Sequence, residues 1–147
     1  MLDPLLARQR HRLYIAAAAI VKELASDATM TTDPTPESLL PLPPATLHIL
    51  LAVAETDRHG YAIMQDVEAR TDGELKLSAG TLYRAVARMV EQGLLTEVEK
   101  RRTRADDERR RYYRITSFGL LVARAEVRRL MQLVRHAQAR GLSPRAV

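Results

Sequence analysis

Three side chains that are able to bind nucleic acid recur at helical spacing between residues 79 and 92. Thr81, Arg84 and Arg88 are separated by three and four positions, so a helix would present them on one face. A guanidinium can donate two hydrogen bonds to O6 and N7 of guanine, or it can hold a phosphate. An ordinary solvated helix carries such residues too, so the spacing alone favours neither interpretation.

The first turn of the same segment has the features of an anion-binding helix start. Ser78 is a preferred N-cap residue, and Gly80 has no side chain, so a partner could approach the backbone closely. The free amide groups of a helix N-terminus favour a negative group such as a DNA phosphate.

A strongly basic segment follows at residues 100–114. It contains eight basic and three acidic residues, whereas the rest of the chain contains 15 of each. The whole net charge of +5 therefore lies in one segment, as expected of a nucleic-acid-binding surface. An isolated basic run is more often a solvated loop, and it is the helix just upstream that favours DNA here.

Residues 94–100 and 109–115 are predicted to form a β-hairpin that carries these arginines. Strand alternation would divide the polar side chains of the second strand into two faces, Arg109 with Arg111 and Tyr113, and Arg110 with Tyr112 and Arg114. One tyrosine is expected to pack against the helices and the other to contact a phosphate, and the register decides which. Acidic residues 106–108 near the tip would be repelled by phosphates, so the stem arginines are the predicted contacts.

Apolar periodicity predicts four helices around this hairpin. The first covers about 44–56, and its predicted inward residues are Leu47, Leu50, Leu51 and Ala54. The second covers about 60–71, where Tyr61 is interpreted equally as a core residue or a phosphate contact, beside Met64 and Val67 in the core. The third covers about 79–92, with an apolar stripe and a stop at Gly93, and the last covers about 117–140.

The last predicted helix has a second apolar pattern. Its apolar residues are spaced alternately by three and four positions, as in a coiled-coil seam, and are Leu120, Ala123, Val127, Leu130 and Val134. Such a short seam could pack on its own domain, but a partner helix is favoured because the other helices already use their inward faces. A two-fold dimer would place two recognition helices about 34 Å apart, on a near-palindromic site.

These elements predict a mainly α fold class with a small β-hairpin, which is the arrangement of a winged helix-turn-helix. We expect an N-terminal helix at 1–25, a Pro-rich linker at 26–43, a DNA-binding domain at 44–116 and a C-terminal dimerisation helix at 117–140.

Composition argues against other classes of protein. The chain has no Cys, and its four His lack ligand spacing, so we expect neither a metal nor a cofactor. No nucleophile–base pair or phosphate loop appears, so an enzyme is not expected. The longest apolar run, residues 13–21, is too short to span a bilayer, and we expect a cytoplasmic protein without a membrane partner.

Four segments, in this order and spacing, resemble the PadR family of bacterial transcriptional regulators. They are HGYAI at 59–63, LSAGTLYRAV at 77–86, EQGLL at 91–95 and RYYRITSFG at 111–119. The resemblance implies a winged-helix homodimer that represses transcription and is released by a small aromatic or drug-like effector. It also implies that residues of the recognition helix and the wing contact double-stranded DNA, namely Ser78, Gly80, Thr81, Tyr83, Arg84, Arg88, Arg110, Arg111 and Tyr112.

Two features depart from the compact pattern of that family. The N-terminal extension and its linker are longer than the pattern requires. The chain also has no Trp, so an effector could not be held between two tryptophans, as in some members. The alternative function is a winged-helix module for protein–protein contacts without specific DNA binding, and salt dependence separates the two because only phosphate contacts release counterions.

Overall fold

The computed structural model describes residues 33–99 and 111–142, together with residues 16, 17 and 19. Contacts divide the chain into two compact units, Met1–Asp33 and Pro34–Val147, and the fold described below is that of the second unit. Most of the helix predicted at 1–25, and the basic residues 100–110, lie outside the described residues.

The four predicted helices and the hairpin are confirmed in the described part of the second unit. The elements run in the order α1 (Pro44–Ala52), β1 (Arg58–His59), α2 (Gly60–Arg70), α3 (Ala79–Glu91), β2 (Leu95–Val98), β3 (Tyr112–Ile115) and α4 (Ser117–Ala139), after a single 3-10 turn at Pro36–Leu39. Helix α1 ends four residues before its predicted end, because the chain must become extended to enter β1.

Side chains cap the starts of α2, α3 and α4. Ser78 Oγ accepts a hydrogen bond from the amide of Thr81 at 3.2 Å, and Thr116 Oγ1 accepts one from the amide of Gly119 at 2.9 Å. His59 caps α2 in the same way through its ring. These bonds satisfy amide groups that a helix leaves without partners in its first turn, so the three capping side chains fix where these helices begin.

The sheet has three antiparallel strands in the order β1–β3–β2, so the second hairpin strand is central. Thr96 is paired with Arg114 and Glu97 with Tyr113, while the two residues of β1 are paired with Tyr113 and Tyr112. Strand β1 was not predicted, because two residues are too few to show an alternating pattern.

The core lies between the helices and one face of the sheet. Its fully enclosed side chains come from every helix and include Ile49, Leu50, Ile63, Val67, Leu82, Met89, Leu94 and Val122. The prediction that Leu51 and Ala54 face inward is wrong, since Leu51 is 45% exposed and Ala54 is exposed. Apolar residues surround most of α1, so periodicity does not select its buried face.

The second half of the predicted linker packs against the domain. Leu42 is buried, Leu39 and Leu40 are half-buried against the core, and the 3-10 turn contacts α4. We call residues 34–43 the strap. The amide of Leu42 donates a hydrogen bond of 3.3 Å to Oε1 of Glu126, a carboxylate buried within α4.

Arg129 keeps this buried carboxylate charged. It donates to both oxygens of Glu126 at 2.7 and 2.8 Å. Those hydrogen bonds are the largest influence on the pKa of Glu126, which lies below its ordinary value although burial opposes the shift.

Gly119 marks the closest packing between α4 and the rest of the domain. A Cβ at this position would overlap the carbonyl oxygen of Leu94 and lie 3.1 Å from a side-chain carbon of Ile115. Leu94 directly precedes β2 and Ile115 ends β3, so neither can move without disturbing the sheet.

Gly119→Ala is expected to lower the free energy of unfolding by roughly 1–3 kcal/mol, because backbone must shift to admit the methyl group. The helix preference of Ala, about 1 kcal/mol over Gly, offsets only part of that cost. Urea denaturation measures the effect, with Gly80→Ala as the matched control, since a Cβ there meets open space within α3. Equal stability of the two variants would contradict the assigned contact.

Candidate nucleic-acid interface

The two faces of α3 differ as the spacing predicts. Leu82, Val86 and Met89 are buried, whereas Thr81, Arg84 and Arg88 are all exposed on the side away from the core. The guanidinium of Arg84 folds back so that Nε donates to the carbonyl oxygen of Gly80 at 3.2 Å. This uses one of its five N–H donors, and the other four are available for a ligand of the same face.

The start of α3 is open to solvent. Ser78 and Gly80 are both exposed, and no heavy atom lies within 4 Å of the position that a Cβ on Gly80 would take. The hydroxyl of Ser78 donates to Oγ1 of Thr81 at 2.9 Å while it accepts from the amide of that residue. A phosphate could therefore approach the first turn without displacing another side chain.

Two exposed tyrosines lie around Gly60, at the start of α2. The phenol of Tyr83 on α3 lies against this glycine, since a Cβ there would be 2.9 Å from its hydroxyl oxygen. Tyr61 follows Gly60 directly and is 60% exposed, so the interpretation of Tyr61 as a core residue is wrong. Tyr83 itself is half exposed, and its contact with Gly60 gives it a structural role as well.

The register of the sheet distinguishes the two wing tyrosines. Tyr113 is buried in the core, and burial is the main reason that its pKa is raised, followed by the charge of Glu97. Tyr112 is half-buried on the opposite side of β3, where its ring meets the ring of His59 edge to face at a centroid distance of 5.4 Å. Tyr112 is thus the tyrosine with a face outside the core.

The described wing arginines differ in their partners. Arg114 makes a bidentate ion pair with Asp57, at 3.0 Å from Nε and 2.8 Å from an NH2 group, and these hydrogen bonds raise the pKa of Arg114. Arg111 is exposed, with Nε 3.7 Å from Oε1 of Glu97. Arg109 and Arg110, also predicted as contacts, lie outside the described residues.

The predicted seam begins beside the core, against which Ala123 packs, and continues along α4 to residues that are more exposed. Leu120, Ala123 and Leu130 are half-buried, while Val127 and Val134 are 41% and 52% exposed. The seam residues in the second half of the helix border an open apolar depression lined by Val127, Leu130, Met131, Val134, Arg135 and Gln138. Met131 was not part of the prediction, although it lies one helical turn after Val127.

Two other kinds of site are absent from residues 33–99 and 111–142. No group of three or more His, Asp or Glu side chains there is arranged to hold a metal ion. None of the helices in those ranges is both long and apolar enough to cross a bilayer.

A family model and a solved structure identify the same family. The model of the transcriptional regulator PadR-like family matches residues 49–125. A curated, uncharacterized protein of Lysinibacillus sphaericus is 35% identical over 91 residues, which are 58% of this chain and 82% of that protein.

Solved structures resemble about two thirds of the chain. A transcriptional regulator from Clostridium thermocellum is 26% identical with a TM-score of 0.55, over 67% of this chain and 90% of that one. A PadR family transcription regulator from Clostridium difficile is 25% identical with a TM-score of 0.50, over 65% of this chain and 97% of the other.

Proposed function

Because the chain belongs to the PadR-like family of transcriptional regulators, we propose that it is a homodimeric repressor that binds a specific, near-palindromic DNA sequence. Members of this family are regulators and not enzymes. The observation that carries the proposal is the exposed polar face of α3, directly opposite its buried stripe and next to a wing with an exposed arginine.

Helix α3 is the proposed recognition helix. Arg84 and Arg88 would reach base edges in the major groove, with Thr81 beside them, because a guanidinium matches the two acceptors of guanine. Ser78 and Gly80 would allow a phosphate to approach the helix N-terminus. Tyr61 and Tyr83 would donate hydrogen bonds from their phenols to the phosphates next to that groove.

The wing supplies the second proposed contact. Arg111 is an exposed arginine of the described wing that no bidentate ion pair holds, and Arg109 and Arg110 would extend the same basic stem. Tyr112 would bind a phosphate with its hydroxyl while its ring stays against His59. Arg114 is omitted from this set because its guanidinium is already bound to Asp57.

The apolar seam of α4 is the proposed dimer interface. A second copy would cover Val127 and Val134 and would bring two recognition helices to one side of the duplex. The depression is part of the seam, because Val127, Leu130 and Val134 line it together with Arg135 and Gln138. A small aromatic effector with a polar group would therefore bind there at the dimer interface. A regulator that binds chromosomal DNA acts where that DNA lies, so the proposed location is the cytoplasm.

The protein is expected to bind a duplex taken from upstream of its own reading frame more tightly than a shuffled duplex, with a steep salt dependence. The slope of log affinity against log salt should be about −0.9 for each phosphate neutralised. Fluorescence anisotropy at several salt concentrations measures both quantities. A protein-contact module would bind neither duplex, and any apolar partner would bind it with little response to salt.

Arg84→Ala is expected to weaken binding to the specific duplex by about 1–3 kcal/mol, and binding to the shuffled duplex by less, if the guanidinium reads a base. Arg128→Ala removes the same charge from an exposed position on α4 and serves as the matched control. Equal losses on both duplexes would assign Arg84 to a phosphate instead.

Val127→Glu is expected to convert a dimer into a monomer, since the new carboxylate would be buried against an apolar partner helix. Leu133→Glu is the control, because Leu133 is at least as exposed but lies outside the seam. Light scattering after size exclusion should give twice the 16.5 kDa chain mass for the wild type and the control. A monomeric wild type would refute the proposed interface.

A further inference from the structure

One histidine side chain connects the wing to the start of α2. His59 is the second residue of β1 and is paired with Tyr112 of β3, and their rings meet at an angle of 86°. Nδ1 of the same imidazole accepts a hydrogen bond of 3.1 Å from the amide of Ala62. A single ring thus caps a helix and supports the central strand of the wing.

The cap fixes the protonation of the ring. A backbone N–H group can only donate, so Nδ1 must carry a lone pair and the proton of the neutral imidazole must be on Nε2. A doubly protonated ring would direct an N–H group at the amide of Ala62. It would also place a positive charge at the positive end of the α2 dipole. The arrangement therefore requires the neutral ring.

The start of α2 is in turn packed against the helix proposed to enter the DNA groove. Gly60 follows His59, and the space for a Cβ at Gly60 is taken by the phenol of Tyr83 and a methyl group of Leu82, both from α3. A shift of His59 at the start of α2 would therefore displace α3 as well as the wing. At the start of β1, the ion pair of Asp57 with Arg114 joins this strand to β3.

We propose that His59 is a positioning residue for DNA binding, whose neutral imidazole holds the wing strand against the start of α2, and whose protonation weakens DNA binding. This inference rests on the proposed function. It predicts that DNA binding weakens as the pH falls. Without this effect DNA binding would strengthen in acid, because protonation adds positive charge to the protein.

The described charged and titratable groups of the surrounding elements are few. Strand β1 carries Arg58, which lies 3.7 Å from Asp66 of α2, and the preceding Asp57 is bound to Arg114 of β3. The phenols of Tyr112 and Tyr83 come from β3 and α3. Arginine, aspartate and tyrosine side chains ordinarily keep their charge between pH 5 and 8, whereas an imidazole ordinarily changes its charge in that range.

The decisive variant is His59→Asn. Asn is a good N-cap that does not titrate, so the helix start is kept while the proton-dependent step is removed. Binding to the upstream duplex is measured at constant salt between about pH 8 and 5.5. The wild type should weaken by about fivefold or more, the ratio that follows from losing a helix cap. His59→Asn should show no such loss, and His136→Asn, at an exposed position on α4, should keep the wild-type profile.

A measurement without DNA separates this inference from the proposed function. In a nuclear magnetic resonance titration of the free protein, the Ala62 amide and the Tyr112 ring should shift with one midpoint, and the Ala62 shift should disappear in His59→Asn. A wild type that binds DNA equally well or better in acid would overturn the inference, as would an unchanged profile in His59→Asn or an Ala62 amide insensitive to pH. Failure of the wild type to bind any duplex at pH 8 would instead count against the proposed function.

Discussion

The carbonyl oxygen of Leu94 is the point on which the arrangement of the functional elements depends. It accepts a hydrogen bond from the amide of Thr116 at 3.1 Å, and Gly119 packs directly against it. The hydroxyl of Thr116 donates mainly to the neighbouring carbonyl oxygen of Gly93, which is closer to it than that of Leu94. Just before Leu94, Gly93 has a φ of +75°, a conformation that lets only three residues separate the end of α3 from the start of β2. The end of α3, the bases of both wing strands and the start of α4 therefore meet at one peptide group. A change in the direction of α4 at this junction would be transmitted through backbone contacts to α3, the proposed recognition helix.

The charge distribution of the folded domain is more selective than the composition implies. Several arginines are bound within the domain, among them Arg114 with Asp57, Arg70 with Asp66 and the carbonyl of His48, and Arg129 with Glu126. The bonds of Arg114 to Asp57 and of Arg70 to the carbonyl of His48 join elements that are distant in sequence, whereas the other two pairs each lie within one helix. All of these arginines are neutralised by a nearby carboxylate, so they add little to a field directed at a phosphate backbone. By contrast, Arg84 and Arg88 lie on the exposed face of α3. What matters for binding is which guanidinium groups remain available, and this cannot be read from the net charge of +5.

Features that could be predicted from the sequence are those set by local periodicity and by caps. The exposed face of α3, its stop at Gly93 and the extent of α4 depend on spacing within one element, and the structure agrees with each of them. Features that depend on distant contacts were missed or left open. The choice between Tyr112 and Tyr113 follows from the pairing of β3 with β2, the pairing partner of Arg114 lies 57 residues away, and the contact of Tyr83 with Gly60 joins two helices. A His before a Gly at a helix start is the one local sign of the cap at His59, and its link to the wing could not be read without the sheet.

The strap explains why α4 is apolar on more than one side. Leu42 and the 3-10 turn cover part of the helix, α1 covers another part, and the amide of Leu42 is fixed to Glu126, one residue before the seam position Val127. Because hydrogen bonds from Arg129 lower the pKa of Glu126, the carboxylate is charged at neutral pH and the strap stays attached to an acceptor stronger than a neutral one. With its inner side covered by α1 and the strap, α4 leaves the face of Val127 and Val134 for a further contact. A second copy of the chain would then have to approach from that side.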